Sequence, residues 1–287
     1  MTIALYGSRR QDGYISQISE FVDALLAHGH KVAVERKLAA TLNEAGYRLR
    51  IHGVEECQHL PETAELVVSI GGDGTFLRSA RWLKGREVPV LGINTGHLGF
   101  LAENYMDDVP ELVEMISEDK WIKEKRMVLE ASCDAIPAGE WPFALNEVAF
   151  LKGASASMIN VNVEINGHFL AEYRADGLLM VTPTGSTAYN LSVGGPILSP
   201  TLNNIILSPI APHTLTLRPV VVGGDEEIRA TVSSRVGEFR LSIDGKSFSV
   251  PCGKEITVKR AAHSVLTLRR RDKNFAHPLS VKLLWGH

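Results

Sequence analysis

One stretch, residues 66–77 (LVVSIGGDGTFL), limits what this chain can fold into more than any other. An apolar run, Leu66-Val67-Val68-Ser69-Ile70, breaks into Gly71-Gly72-Asp73-Gly74-Thr75, after which Phe76, Leu77, Ala80 and Trp82 continue a helical pattern. A buried strand therefore hands over to a helix through a glycine turn. Three glycines among four residues let the backbone take φ > 0 and approach a ligand closely, and the N–H groups at a helix start attract an anion such as phosphate. Asp73 is the single non-glycine of the four. A carboxylate beside an anion site repels the anion, so it has to meet a metal ion, a hydroxyl group or a hydrogen-bond donor. That combination points to phosphoryl transfer, while a tight turn closing a strand fits residues 71–74 equally well when they are taken alone. Two common phosphate fingerprints are excluded. The chain has no G-x-x-x-x-G-K-[ST], and Leu77 stands where G-x-G-x-x-G needs its third glycine.

The flanking sequence supplies a frame for that turn. Residues 2–6 form a short apolar strand, and Ile15, Ile18, Phe21, Val22, Leu25 and Leu26 mark one face of a helix that Gly29 stops. Strands follow at 31–35 and 89–93, so strand and helix alternate as in an open parallel sheet covered on both faces. Such sheets bind ligands beyond the carboxyl ends of their strands, where the glycine turn lies. Residues 94–101 (NTGHLGFL) make a second glycine-rich loop on the same edge; its His97 is given no role, since a lone loop histidine is more often a surface hydrogen-bonding group. A helix over 109–117 closes this half, and Lys123-Glu124-Lys125-Arg126 reads as a charged connector. The expected domains are 1–122 and 123–287, with the carboxyl-terminal end free to pack back on the first.

From Met127 the rhythm changes to short strands separated by turn signals. Asn166-Gly167 and Asp244-Gly245 each sit between two strand-like runs, the strongest short-range hairpin signal there is. Further strands are expected at 229–233, 256–260 and 264–268, which makes the second half β-rich and sandwich-like. One island interrupts it, where a buried strand from Asp176 runs into Thr182-Pro183-Thr184-Gly185-Ser186-Thr187-Ala188-Tyr189-Asn190-Leu191-Ser192. Hydroxyls, backbone N–H groups and one Tyr face suit a base edge, a ribose and a ring. For Ser186 and Thr187 taken alone, helix capping is the better explanation. A serine-hydrolase reading fails because G-x-S-x-G is absent around Ser186.

Composition removes other classes. With a formal charge of −3 and a pI near 6.4 there is no general basic field for nucleic acid, and Arg269-Arg270-Arg271 reads as a solvated strand end. No apolar stretch reaches membrane-span length and the first residues lack a signal-peptide pattern, so a cytoplasmic protein without membrane contact is expected. Cys57, Cys133 and Cys252 form no C-x-x-C and read as reduced thiols.

Taken together, Gly71-Gly72-Asp73-Gly74-Thr75, the 94–101 loop, Asn146-Glu147, Arg174-Ala175-Asp176-Gly177 and T-P-T-G-S-T-A-Y from Thr182 resemble the NAD kinase family, in that family's order and over nearly the whole chain. GGDGT alone is shared with diacylglycerol and sphingosine kinases, whereas T-P-T-G-S-T-A-Y together with N-E is far more specific. The resemblance implies an α/β amino-terminal domain with a mostly parallel sheet, a β-rich carboxyl-terminal domain, and transfer of the γ-phosphoryl group of ATP to the adenosine ribose 2′-hydroxyl of NAD. It further implies a divalent cation, Mg²⁺ above others, with polyphosphate as donor in some members, and a homodimer or homotetramer whose substrate sites borrow residues from a neighbour.

Residue by residue, the resemblance makes Asp73 the proton acceptor. It assigns Gly71, Gly72, Gly74 and Thr75 to phosphate and Asn146 and Glu147 to the adenosine part. Asp176 falls to the nicotinamide end, and Thr187, Ala188, Tyr189, Asn190, Leu191 and Ser192 to the adenine and nicotinamide pockets. Arg78 and Arg174 are added as phosphate contacts and Ala211 as an adenine-pocket wall. The chain departs from many relatives at Lys246, where a glutamine would follow the Asp-Gly turn; lysine donates hydrogen bonds but accepts none.

Two competing readings are open to test. A lipid kinase of the GGDGT superfamily needs an apolar acceptor groove, which the polar segment from Thr184 to Ser192 argues against. A non-catalytic NAD sensor has no need of both Asp73 and Glu147. Of the two carboxylates, Asp73 suits the base and Glu147, next to Asn146, suits a pair gripping ribose hydroxyls.

Overall fold

The computed structural model describes residues 1–8, 13–96, 99–107, 109–153 and 157–284. They form two compact units: Met1–Lys125 joined by the chain from Val265 onward, and Arg126–Ser264.

The first unit is built on a mostly parallel sheet. Its strands lie in the order Glu55–Cys57, Lys31–Glu35, Thr2–Gly7, Leu66–Ile70, Val90–Asn94, Val265–Arg270 and Trp121–Arg126, with Asn104–Tyr105 paired to Val90–Asn94 off that path. Every residue of Leu66–Ile70 and Val90–Asn94 is buried, which is why both read as continuous apolar runs and not as alternating ones. Helix Ile15–Ala27 turns Ile18, Phe21, Val22 and Leu25 inward, and helix Val109–Ser117 adds Val109, Leu112, Val113 and Ile116 to the same core. Each such large side chain contributes about 1.5–3 kcal/mol when fully buried. The register pairs Gly7 with Ile70 and Ile70 with Ile93, so three central strands end level. The chain runs outward from Thr2–Gly7 to Glu55–Cys57, then returns to Leu66–Ile70 on the other side. That reversal creates the crevice at which open α/β sheets bind ligands, and the 71–75 turn leaves from it.

The unit departs from the sequence expectation at several points. Helix Arg36–Glu44, capped by Glu35 through a bond from Lys37 N–H (2.9 Å), carried no clear signal because only Leu38, Ala39 and Leu42 face inward. Residues 123–126 are not a connector but the end of strand Trp121–Arg126, whose charges are answered across the sheet: Glu124 accepts from Arg269 Nε at 2.6 Å, both side chains being less than a fifth exposed. Val265–Arg270 does not continue the β-rich half; it pairs in parallel with Val90–Asn94. The basic run is accordingly not a solvated strand end. Arg269 holds Glu124, and Arg270 holds Glu111 and Asp272.

The second unit contains two six-stranded antiparallel sheets. One runs Val220–Gly223, Asn204–Ile210, Gly177–Val181, Glu147–Leu151, Glu238–Ile243, Lys246–Pro251; the other His168–Ala175, Ile159–Ile165, Ile228–Ser234, Glu255–Arg260, Leu129–Ser132, Phe143–Ala144. Val148, Phe150, Met180 and Leu241 of the first meet Val161, Tyr173, Val232 and Val258 of the second in one core. The first sheet is covered on its other face as well, where Ala149, Leu179, Val181 and Ile206 pack against Val193 and Leu198. This explains the unbroken apolar run of Gly177–Val181. Both expected hairpins form, with Asn166 at φ 50° and Gly167 at 79°, Asp244 at 46° and Gly245 at 81°, the paired positive φ of a type I′ turn. Among the described residues no helix is long and apolar enough to cross a membrane.

Candidate active site

In the first unit the turn after Ile70 is too tight for any residue but glycine at its first position. Gly71 has φ 139°, donates its N–H to Ile93 O (2.8 Å), and would carry a Cβ only 2.5 Å from Thr75 Oγ1. Extended Gly72 caps helix Asp73–Trp82, receiving the N–H groups of Thr75 (2.8 Å) and Phe76 (3.2 Å) on its carbonyl. The N–H groups of Asp73 and Gly74 therefore open the helix with no intrahelical acceptor. Gly72 and Gly74 are exposed, and beside them Arg78 Nη2 donates to Thr75 Oγ1 (3.0 Å). An anion laid on this turn meets backbone donors, the positive end of a helix and a guanidinium.

Asp73 meets donors from the second glycine-rich loop. Its Oδ2 accepts from Phe100 N–H (2.9 Å), and its Oδ1 from Leu101 N–H (3.0 Å) and Ala102 N–H (3.1 Å). A carboxylate offers about four acceptor positions, so among the described residues three are taken and one on Oδ2 remains. A Cβ on Gly99 would lie 2.0 Å from Asp73 Oδ1, which is what lets the loop close so tightly. Asn94, buried, adds a bond from Nδ2 to Ala102 O (3.4 Å). His97 lies outside the described residues.

The second unit brings N-E and T-P-T-G-S into one packed piece. Thr182 N–H donates to Asn146 O (2.9 Å), while Thr182 Oγ1 donates to Leu145 O (2.6 Å) and accepts from Gly185 N–H (3.0 Å). A Cβ on Gly185 would sit 2.2 Å from Asn146 O, so glycine is required for this contact. From the other side Asp244 holds the same segment: Leu145 N–H donates to Oδ2 (2.7 Å), Asn146 and Glu147 N–H to Oδ1 (2.9 and 3.1 Å). Within this piece Glu147 Oε2 and Thr184 Oγ1 are buried without a partner among the described residues. Burial, and then the charge of Asp244, pushes the Glu147 carboxyl up to about 8. Neither Thr184 nor Asp244 was assigned a site role from the sequence. Thr184 stood in the hydroxyl-rich motif, but nothing local marked Asp244 beyond its turn.

The segment that follows divides its side chains. Thr187, Ala188 and Leu191 are partly exposed and Tyr189 is 41% exposed, whereas Asn190 is completely buried. Asn190 Nδ2 donates to Ser186 O (3.1 Å) and Pro196 O (3.0 Å), and its Oδ1 accepts from Ser208 Oγ (2.6 Å). Ser186 Oγ ties the loop ends through Leu198 N–H (3.0 Å). Helix content is limited to the short turns Thr184–Thr187 and Tyr189–Ser192, so these residues brace a loop more than they cap a helix.

The remaining candidates fall into separate places. Asp176 pairs with Lys152 Nζ (2.8 Å), and its N–H donates to Ile210 O (3.0 Å), which brings it beside Ala211 at φ 44°. Arg174 lines a cleft of about 540 Å³ with Asn160, His213, Ser233 and Arg235, a lining that includes none of Asn146, Glu147 and Thr184. Lys246 is exposed, joined to Glu140 and about 5.9 Å from the Phe248 ring centroid.

These arrangements coincide with the chain's similarities. Residues 4–121 match the ATP-NAD kinase N-terminal domain and residues 145–269 the ATP-NAD kinase C-terminal domain. An NAD kinase of Porphyromonas gingivalis is 41% identical over 99% of this chain and 98% of its own length, and one of Bacteroides fragilis 39% over 100% and 98%. Among solved structures, yeast NADH kinase complexed with NADH superposes with a TM-score of 0.87 at 25% identity, over 100% of this chain and 88% of that one. An NAD kinase from Archaeoglobus fulgidus in complex with ATP gives 0.72 at 28% identity, over 99% of each. The chain belongs to the ATP-NAD kinase family and is a phosphotransferase with an alcohol acceptor.

Proposed function

We propose that this chain transfers the γ-phosphoryl group of ATP to the 2′-hydroxyl of the adenosine ribose of NAD, giving NADP and ADP, with separate tasks for its two units. ATP-dependent phosphorylation of NAD follows from the family. The assignment of tasks rests on one observation, the two buried oxygens, Glu147 Oε2 and Thr184 Oγ1, left without partners on adjoining segments. Leaving such groups unpaired is costly, so a ligand that brings hydroxyls restores what folding removed. A ribose does so, with Asn146 alongside and the Tyr189 ring available for a base. Asp176, with Lys152, and Ala211 are assigned to the nicotinamide end, and Arg174 to a phosphate.

The first unit takes the donor. The N–H groups of Asp73 and Gly74 and the Arg78 guanidinium receive its phosphates, and Thr75 keeps Arg78 in place. The transition state is loose, so positioning and charge neutralisation outweigh covalent chemistry. Asp73 is held in one orientation by three N–H groups, and its remaining acceptor position takes the ribose hydroxyl and finally its proton, a general-base effect of roughly 10²- to 10⁴-fold. Among the described residues no three of His, Cys, Asp and Glu gather as a metal cage. A Mg²⁺ ion would be held by the donor's phosphates, with Asp73 as the neighbouring carboxylate. When bound, the ion draws charge from the phosphoryl oxygens. The assembly is assigned as a homodimer or homotetramer, to be read from sedimentation.

The test is direct. Purified protein with NAD, ATP and Mg²⁺ should yield NADP, assayed with an NADP-specific dehydrogenase; parallel NADH and polyphosphate reactions define the acceptor and donor range. Binding of NAD with no NADP formed would favour the sensor reading instead.

A further inference from the structure

We propose that Asp244 is a positioning residue for NAD: its carboxylate fixes the backbone of residues 145–147 so that Asn146 and Glu147 present their side chains to the adenosine ribose. The proposal rests on the reading of Asn146 and Glu147 as the ribose grip. Its basis is geometric. Three consecutive N–H groups, those of Leu145, Asn146 and Glu147, converge on one side chain nearly a hundred residues away in sequence, at 2.7, 2.9 and 3.1 Å. The Asp244 N–H closes the ring by donating to Glu147 O (3.1 Å).

The sister hairpin shows what a turn residue alone requires. Asn166 occupies the same left-handed position, φ 50° against 46° for Asp244, and its single carbonyl oxygen accepts one bond, from Glu227 N–H at 3.0 Å. Left-handed backbone is met by Asn as readily as by Asp. An amide has one acceptor oxygen where the carboxylate has two, and both oxygens of Asp244 are used. The turn therefore does not explain the carboxylate, while the three donors do. Those donors belong to the segment that carries the partnerless Glu147 Oε2.

Charge gives a second handle. Asp244 is the one charged group that raises the Glu147 carboxyl alongside burial. Val181, opposite Glu147 across the sheet, Ile243, opposite Val148, and the 182–185 turn carry no titratable side chain, and Lys246, opposite Ile243, is engaged with Glu140.

Asp244→Asn keeps the turn and breaks the clamp, because an NH₂ would face backbone N–H groups. The Michaelis constant for NAD should rise roughly ten- to a hundredfold, the scale on which a displacement of about 1 Å acts, with the constant for ATP within about twofold. The ionisation of Glu147 in kcat/KM for NAD should also move to lower pH as the neighbouring charge is lost, while a rise confined to the NAD constant is the readout that a purely structural role would not give. Asn166→Gly, the matching change in the sister hairpin, should alter neither. Glu147→Gln is measured in the same series: if it leaves the NAD constant unchanged, the ribose-grip reading itself fails. If Glu147→Gln raises that constant and Asp244→Asn does not, only the positioning role is overturned. Asp244→Gly, which also accepts positive φ, replaces Asp244→Asn should the latter misfold; if neither is folded at the assay temperature, Asp244 is a folding residue and the proposal is wrong.

Discussion

Two aspartates treat the backbone alike in units of unlike architecture. Asp73 at a helix start gathers the N–H groups of Phe100, Leu101 and Ala102; Asp244 in a type I′ turn gathers those of Leu145, Asn146 and Glu147. Each clamp also needs a glycine on or against the held segment, Gly99 beside Asp73 and Gly185 against Asn146. The difference lies in what is held. Asp73 orders a loop and keeps an acceptor position for chemistry, whereas Asp244 orders a segment whose own side chain, Glu147, keeps a buried oxygen without a partner. On the proposed assignment a shared local geometry serves turnover in one unit and binding in the other, and function has to be read from the neighbours of each carboxylate.

The largest expected effect comes from Asp73→Asn. It removes the charge and sets an NH₂ against backbone donors, so kcat should fall about 10²-fold or more, and Tm should drop as the 99–102 loop loosens. The clamp makes some loss of stability part of the expectation, which a silent turn residue would not show. A kcat within about threefold of the parent would remove the general base, since the weakest usual effect of that kind is larger.

The two glycines test whether the clamps really divide turnover from binding. In Gly99→Ala the new Cβ meets the Asp73 carboxylate, and in Gly185→Ala it meets Asn146 backbone. Both should cost about 1–3 kcal/mol of stability as overpacking. Gly99→Ala should lower kcat with little change in the NAD constant, and Gly185→Ala should do the reverse. Matching kinetic profiles for the two variants would break the comparison.

How far the sequence carried this is clear from particular residues. The runs 66–70 and 177–181 were legible because burial on both faces needs apolar side chains throughout, and both hairpins because Asn-Gly and Asp-Gly suit paired positive φ. The sequence allowed the carboxyl-terminal end to pack back on the first half, but which strand Val265–Arg270 would join was not legible, since its partner Val90–Asn94 is chosen by packing over a long loop of chain. Glu124 and Arg269 looked like solvated charges because their pairing crosses strands. Asp73, Glu147 and the hydroxyl-rich motif were visible as residue types. That Asn190 faces inward, and that Asp244 reaches back to Leu145, depends on three-dimensional neighbours that no local pattern encodes.

Glu147 sharpens the second unit through pH. Its folded carboxyl, at about 8, lies above the usual unfolded value near 4.3, so folding favours the protonated form. The associated stability is complete below the unfolded value and is lost as pH rises through the folded one. Glu147→Gln, neutral throughout, should gain Tm relative to the parent between pH 5 and about 8.5, measured by thermal unfolding without substrate. A Tm difference that stays constant over that range would show that Glu147 is not held neutral by its surroundings.

The smallest effect belongs to Tyr189, and it tests whether the second unit's outward-facing residues act on NAD alone. The ring is 41% exposed while its neighbour Asn190 is fully buried and bonded to Ser186, Pro196 and Ser208. Tyr189→Ala therefore removes surface that a ligand ring can cover without disturbing the bonds that brace the loop. The loss should be about 1 kcal/mol of ring packing, close to a fivefold rise in the NAD dissociation constant, with Tm and the ATP constant almost unmoved. Asn190→Ala is the contrast, because it leaves Ser208 Oγ unpaired in a buried place and should lower Tm first and NAD affinity as a consequence. Calorimetric titration of both variants with NAD, paired with thermal melts, separates contact from bracing; an unchanged NAD dissociation constant in Tyr189→Ala would take the ring out of the site.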